Sequence, residues 1–180
     1  MTWNDYSTDA ILCNIIQHEM GLTNNQIWIY DQNFEIPNTP GLFVVTYFES
    51  SKTLSNNNHW RPTDSGIIEY QSTIQVENLT INIFSKDRSS KQRKHEIILA
   101  LNSIYSEQMQ EKYAMRLFPI NQSFNNASRA EGESMLNRYT VSVKLQRIYN
   151  KVVTGDDYFD KFEINVDNGI LPKIDIVYES

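Results

Sequence analysis

Seven consecutive residues, Leu42, Phe43, Val44, Val45, Thr46, Tyr47 and Phe48, constrain the fold more than any other stretch, because they carry apolar or β-branched side chains at both parities. A strand sends successive side chains to opposite faces, so one that meets water on one side alternates apolar with polar. This run does not alternate. It therefore belongs in the middle of a sheet covered on both sides, or it presses its outer face against another chain. The preceding Pro37, Asn38, Thr39, Pro40 and Gly41 force a turn and fix where the strand begins.

The rest of the chain supplies partners for it. A short strand is expected over residues 27–30. Alternation through Ile68, Tyr70, Ser72, Ile74 and Val76 resumes with reversed parity through Leu79, Ile81 and Ile83, which predicts a β-bulge or a tight turn at Glu77 and Asn78. Residues 115–118 read as a strand that Pro119 closes. Tyr139, Val141, Val143 and Leu145 alternate with Thr140, Ser142, Lys144 and Gln146, the clearest strand pattern present. Residues 50–66 and 121–134 are polar, rich in asparagine and aperiodic, and they read as two long loops that order against a partner.

Two helices are expected. Ile11, Leu12, Ile15, Ile16 and Met20 share one stripe, with Ser7 or Thr8 as cap, Asp9 in the first turn and Gly21 as the stop. Ile97, Ile98, Leu101, Ile104, Tyr105 and Met109 recur at helical spacing after Ser89 or Ser90. Residues 1–154 then form one α+β domain, and 155–180 an extension with apolar Tyr158, Phe159 and Phe162 and a possible terminal strand through Ile174, Ile176 and Tyr178.

Charge narrows the function classes. Sixteen basic against twenty-two acidic residues give a net charge of -6, which argues against general affinity for nucleic acid or an anionic membrane. There is no long apolar run for a membrane helix, and the first nine residues lack the pattern of a secretory leader, so a cytoplasmic location is expected. No HExxH, CxxC or calcium-loop pattern occurs, and no glycine lies between Gly66 and Gly132 to build a phosphate loop. Cys13 reads as a packed small side chain, and His18 with Glu19 as a surface pair. His59 and His95 stand alone. Asp156, Asp157 and Asp160 read as an acidic turn. The one dense cationic cluster is Lys86, Arg88, Lys91, Arg93 and Lys94. The cluster reads first as a solubilising face; since cations suit a helix start poorly, an acidic partner face or a phosphate backbone are the functional alternatives.

The order of these elements resembles the neck or tail terminator proteins of tailed bacteriophages, over about residues 27–165. The resemblance is carried by the strand Leu-Thr-Ile-Asn-Ile-Phe-Ser-Lys-Asp at 79–87 leading into the amphipathic helix, and by Arg138 and Tyr139 opening the alternating strand Asn-Arg-Tyr-Thr-Val-Ser-Val-Lys-Leu-Gln at 137–146. Ser85 and Lys86 stand where a glycine often ends the strand. The resemblance implies an α/β (α+β) fold: a largely antiparallel mixed sheet with two main helices on one face, long inter-strand loops and a C-terminal extension. It also implies a non-enzymatic virion protein without cofactor or metal, present in the host cytoplasm during assembly. Such proteins form a homo-oligomeric ring, commonly six-fold, that ends the tail tube and binds the head-side connector, with the sheath as a further candidate partner. DNA passes through the lumen without specific binding. The candidate contact residues are Phe43, Val45, Tyr47, Arg88, Lys91, Arg93, Lys94, Tyr158, Phe159 and Phe162. The alternative is a nucleic-acid-binding adaptor that uses the cationic cluster.

Overall fold

The computed structural model describes residues 7–30, 39–63, 66–119, 123–131 and 134–155. The chain divides into two compact units, one of Met1–Asn56 with Ser72–Asn150 and one of Asn57–Gln71 with Lys151–Ser180. The fold is α+β: among the described residues, four helices and a seven-stranded, mostly antiparallel sheet.

In the first unit, helix α1 (Thr8–Met20) buries Ile11, Leu12, Ile15, Ile16 and Met20, the stripe its spacing predicts. It ends where Gly21 takes the left-handed conformation (φ 62°), and the Leu22 amide donates back to the Gln17 carbonyl at 3.0 Å. Glycine adopts that geometry without the steric cost a Cβ would add. Ser7 is the N-cap residue, but its side chain makes no capping bond.

The sheet order is β1 (Ile27–Ile29), β2 (Phe43–Thr63), β3 (Gly66–Ser85), β7 (Ser134–Gly155) and β4 (Met115–Leu117), with β5 (Asn125–Asn126) and β6 (Arg129–Glu131) also paired to β7. Strand β1 lies parallel to β2 with Ile27 opposite Val44. Strands β4, β5 and β6 each run antiparallel to β7, at Leu145–Arg147, Tyr139–Thr140 and Ser134–Leu136 respectively. The run at 42–48 thus starts one strand in from the edge, between β1 and β3.

Its two parities bury into two different clusters. Leu42 and Val44 join Leu79, Ile81, Ile83, Val141, Val143 and Leu145 beneath α1 and the later helices. Phe43 and Val45 join Phe84, Leu136 and Trp28 in a second cluster that contains no helical residue. Each fully buried aliphatic or aromatic side chain contributes about 1.5–3 kcal/mol, so both faces of the strand stabilise the fold.

Two loop expectations need correction, and one open alternative closes. Residues 50–63 are strand, not loop: the Ser50 Oγ accepts from Asn78 Nδ2 at 3.1 Å, Thr73 Oγ1 donates to the Ser55 carbonyl at 3.2 Å, and Thr63 Oγ1 donates to the Gly66 carbonyl at 2.8 Å. As one partner number rises the other falls, so β2 and β3 form an antiparallel hairpin. Backbone ladders do not need apolar side chains, which is why an asparagine-rich stretch can pair there. The parity reversal at Glu77 and Asn78 lies inside one continuous strand, so the tight-turn option falls away. Of residues 121–134, the described part contains β5 and β6.

The second helix is three: α2 (Ser89–Arg93), α3 (Glu96–Leu101) and α4 (Ile104–Lys112). The break at Asn102 and Ser103 uses local side-chain bonds. Asn102 Nδ2 donates to the Ile98 carbonyl at 2.7 Å, and Ser103, extended at ψ 161°, caps α4 by accepting from the Ser106 amide at 3.1 Å. The break re-aims α4, so Ile104 is 75% exposed although the stripe places it inward.

In the second unit, residues 57–63 of β2 and 66–71 of β3 carry a tilted ring pair, His59 with Tyr70, at a centroid separation of 5.1 Å. Trp60 is 68% exposed there.

Candidate functional site

The second apolar cluster is the foundation of the most structured surface feature among the described residues. The rings of Trp28 and Phe43 stack at 5.7 Å, and those of Phe43 and Phe84 at 5.8 Å. Tyr30 meets Tyr47 edge-on at 4.9 Å. Beside them lies a cavity of about 120 Å³ lined by Tyr30, Val45, Asn82, Phe84, Arg129, Leu136 and Arg138. Its lining comes from β3 and β7, from β2 through Val45, from β6 through Arg129, and from Tyr30 just after β1.

Arg138 is fixed from two sides. Its Nε and Nη2 both donate to Asn82 Oδ1, at 3.2 and 2.7 Å. Its backbone amide donates to Ser128 Oγ at 3.0 Å, and that hydroxyl is held by Asn126 Oδ1 at 2.6 Å. A guanidinium aligned by a neutral amide keeps its full positive charge for another group. The arrangement is a small, largely apolar cavity with two arginines in its lining.

Two members of the cationic cluster, Arg93 and Lys94, are engaged within the chain. Arg93 forms a close pair with Glu96 (2.7 Å) and donates to the Met20 carbonyl at 3.2 Å. The Glu96 bonds raise the Arg93 pKa and Arg93 holds the Glu96 carboxyl below its ordinary value. Lys94 places its ammonium 4.2 Å from the Tyr139 ring centroid and 5.6 Å from that of Phe124. Arg93 and Lys94 therefore tie α2 to the body. Arg88 and Lys91 are exposed.

Of the remaining contact candidates, Phe43 and Val45 are buried in the cluster just described, while Tyr47 is exposed. Tyr158, Phe159 and Phe162 lie outside the described residues, as do Asp156, Asp157 and Asp160. The His18 ring stacks on Tyr105 at 3.9 Å, with Nδ1 3.0 Å from Glu19 Oε1, the surface pair expected. Burial pushes the Cys13 thiol up to about 11, its sulfur resting 3.1 Å from Thr46 Oγ1, so it is a protonated packing group. Among the described residues no three His, Cys, Asp or Glu side chains gather as a metal would require.

Two features escaped sequence reading. The first is a polar cluster on the helix side, where Arg147 Nη1 donates to Thr8 Oγ1 at 2.9 Å and the Tyr149 hydroxyl donates to Glu77. The inward parity of 141, 143 and 145 continues to 147, which was the available signal. The second is the hairpin: all seventeen residues of β2 from Tyr47 to Thr63 are exposed. No protein-family model matches the chain, and no curated protein matches it either.

Proposed function

We propose that this chain is a structural subunit of a tailed-phage neck, a tail terminator that forms a homo-oligomeric ring, ends the tail tube and joins it to the head connector. The observation that carries the reading is the β2–β3 hairpin. Strand β1 engages β2 only at Val44–Thr46, so from Tyr47 onward β2 pairs with β3 alone among the described residues. A long strand edge with Phe48, Leu54 and Trp60 exposed is a liability in a protein that works alone, and a contact surface in one that assembles. The α+β fold with helices on one sheet face agrees with the resemblance in element order.

The adaptor alternative has less support, since Arg93 and Lys94, two of the five cations it would use, are engaged within the chain. Size-exclusion chromatography with mass detection, on the purified chain alone and with the tube protein of the same phage, tests the proposal. A closed oligomer, formed alone or on the tube, is the expected result. A monomer under both conditions overturns it.

A further inference from the structure

We infer that the elbow between α3 and α4 is the surface on a second copy of this chain that receives the outer length of β2. The inference rests on the self-assembly part of the reading above and names the two faces that meet. Exposed apolar side chains, opposite charge and the symmetry of a ring carry it.

The elbow presents apolar surface that the fold leaves in water. Leu99 is 67% exposed and Ile104 75%, on either side of the break at Asn102 and Ser103. Ile104 opens α4, where a β-branched side chain brings no gain in helix propensity. Glu107 and Glu111 follow it at i+3 and i+7, on the same face of the helix, and both are exposed. Glu107 suits the first turn, but Glu111 stands in the last, where an acid opposes the helix dipole. Neither carboxylate has a cation within ion-pair distance among the described residues. The neighbouring Lys112 places its ammonium 5.2 Å from the Tyr113 ring centroid. The elbow is thus an apolar knob with an acidic rim.

The outer length of β2 carries the opposite charge. Residues 50–63 include Lys52 and Arg61 and no acid, and Leu54 and Trp60 stand 56% and 68% exposed among them. Lys52, Leu54 and Trp60 share one parity of the strand. On β3, Glu69 is half-buried, and Asp64 lies outside the described residues. All four apolar side chains remain in water, so strand and elbow do not cover each other within one chain. Between copies, Leu54 and Trp60 bury against Leu99 and Ile104 at the centre, while the two cations meet the two carboxylates at the rim. The two faces differ, so the contact is heterologous. Each copy offers β2 to one neighbour and its elbow to the other, which yields a ring when the rotation closes.

Charge reversal in the full chain tests this, followed by sedimentation velocity under the condition in which the parent assembles, alone or on the tube protein. Lys52→Glu with Arg61→Glu should weaken assembly about tenfold, the scale of two exposed ion pairs replaced by like charges. Glu107→Lys with Glu111→Lys should weaken it to a similar extent. All four changes in one chain should restore assembly to within about twofold of the parent. Recovery of that kind cannot come from loss of folding, and the circular dichroism of every variant should match the parent. A fourfold variant no better than either pair, or an elbow reversal without effect, overturns the inference and leaves the ring proposal standing. A parent that stays monomeric both alone and with the tube protein removes both.

Discussion

Arg147 is the largest completely enclosed side chain among the described residues, and its charge is only partly answered. One nitrogen donates to Thr8 Oγ1 and the guanidinium lies 4.7 Å from the centre of the Tyr149 ring, while Nε and Nη2 have no hydrogen-bond partner among the described residues. A buried donor left unsatisfied costs about 1–3 kcal/mol. Truncation and isosteric replacement should therefore part company. Arg147→Ala opens a cavity and strips Thr8 and Tyr149 of a neighbour, for an expected loss of about 3 kcal/mol. Arg147→Met fills most of the volume and removes the two orphaned donors, so its cost should stay below about 1 kcal/mol. Urea unfolding of the two variants decides it, and equal losses would show that the guanidinium is needed as a charge. The sequence held half of this: residues 141, 143, 145 and 147 share an inward parity. What it could not show is that Thr8, 139 positions earlier, closes over the same spot.

The turn from β3 into α2 shows how an element is ended without the glycine expected there. Ser85 Oγ donates to the Asp87 carbonyl and accepts from the Ser90 amide at 3.0 Å, and Asp87 Oδ1 accepts from the Ser89 amide at 2.8 Å. Hydrogen bonding from the Ser89 side chain first, and then from the Ser89 amide, holds the Asp87 carboxyl below its ordinary value of 3.8. A carboxyl whose folded pKa is depressed stabilises the fold above its unfolded pKa, and the contribution disappears as pH falls through the folded value. Asp87→Ala should thus cost about 0.5 kcal/mol at neutral pH, since solvent screens a carboxylate this accessible, and the gap from the parent should close in acid below the carboxylate range. Denaturation midpoints measured across pH 2 to 7, a range of roughly this width being needed to cover both pKa values, check the sign; a gap that persists in acid would remove the carboxylate from the account. Elements whose evidence is periodic, α1 and the strand through Val141 and Val143, were legible. The β3 half of the hairpin was legible too, but the outer part of β2 was not, because a ladder of backbone bonds leaves no periodic trace in Asn56, Asn57 and Asn58. Nor was the break at Ser103, since serine inside an amphipathic pattern becomes a cap only when tertiary packing favours one.

At the scale of the whole molecule, the core and the exposed surface make separate demands. The helix-side cluster and the Phe43, Val45, Phe84 and Leu136 cluster are closed within the chain, so the fold does not need another copy in order to bury its largest apolar surfaces. Leu54, at 56% exposure, and Trp60, at 68%, contribute little to that burial. Their replacement should therefore leave stability within about 0.5 kcal/mol of the parent. If the hairpin is the contact surface, the same replacement should abolish assembly, because a large aromatic side chain such as Trp60 is the type that dominates interface energetics. The double variant Leu54→Asn with Trp60→Asn separates these demands: its thermal midpoint should match the parent, and sedimentation velocity should show the monomer at concentrations where the parent is oligomeric. An oligomer of unchanged size would place the contact away from the hairpin. A lowered midpoint would mean that the two side chains pack within the chain after all, and their exposure would then be a poor guide to what this surface does.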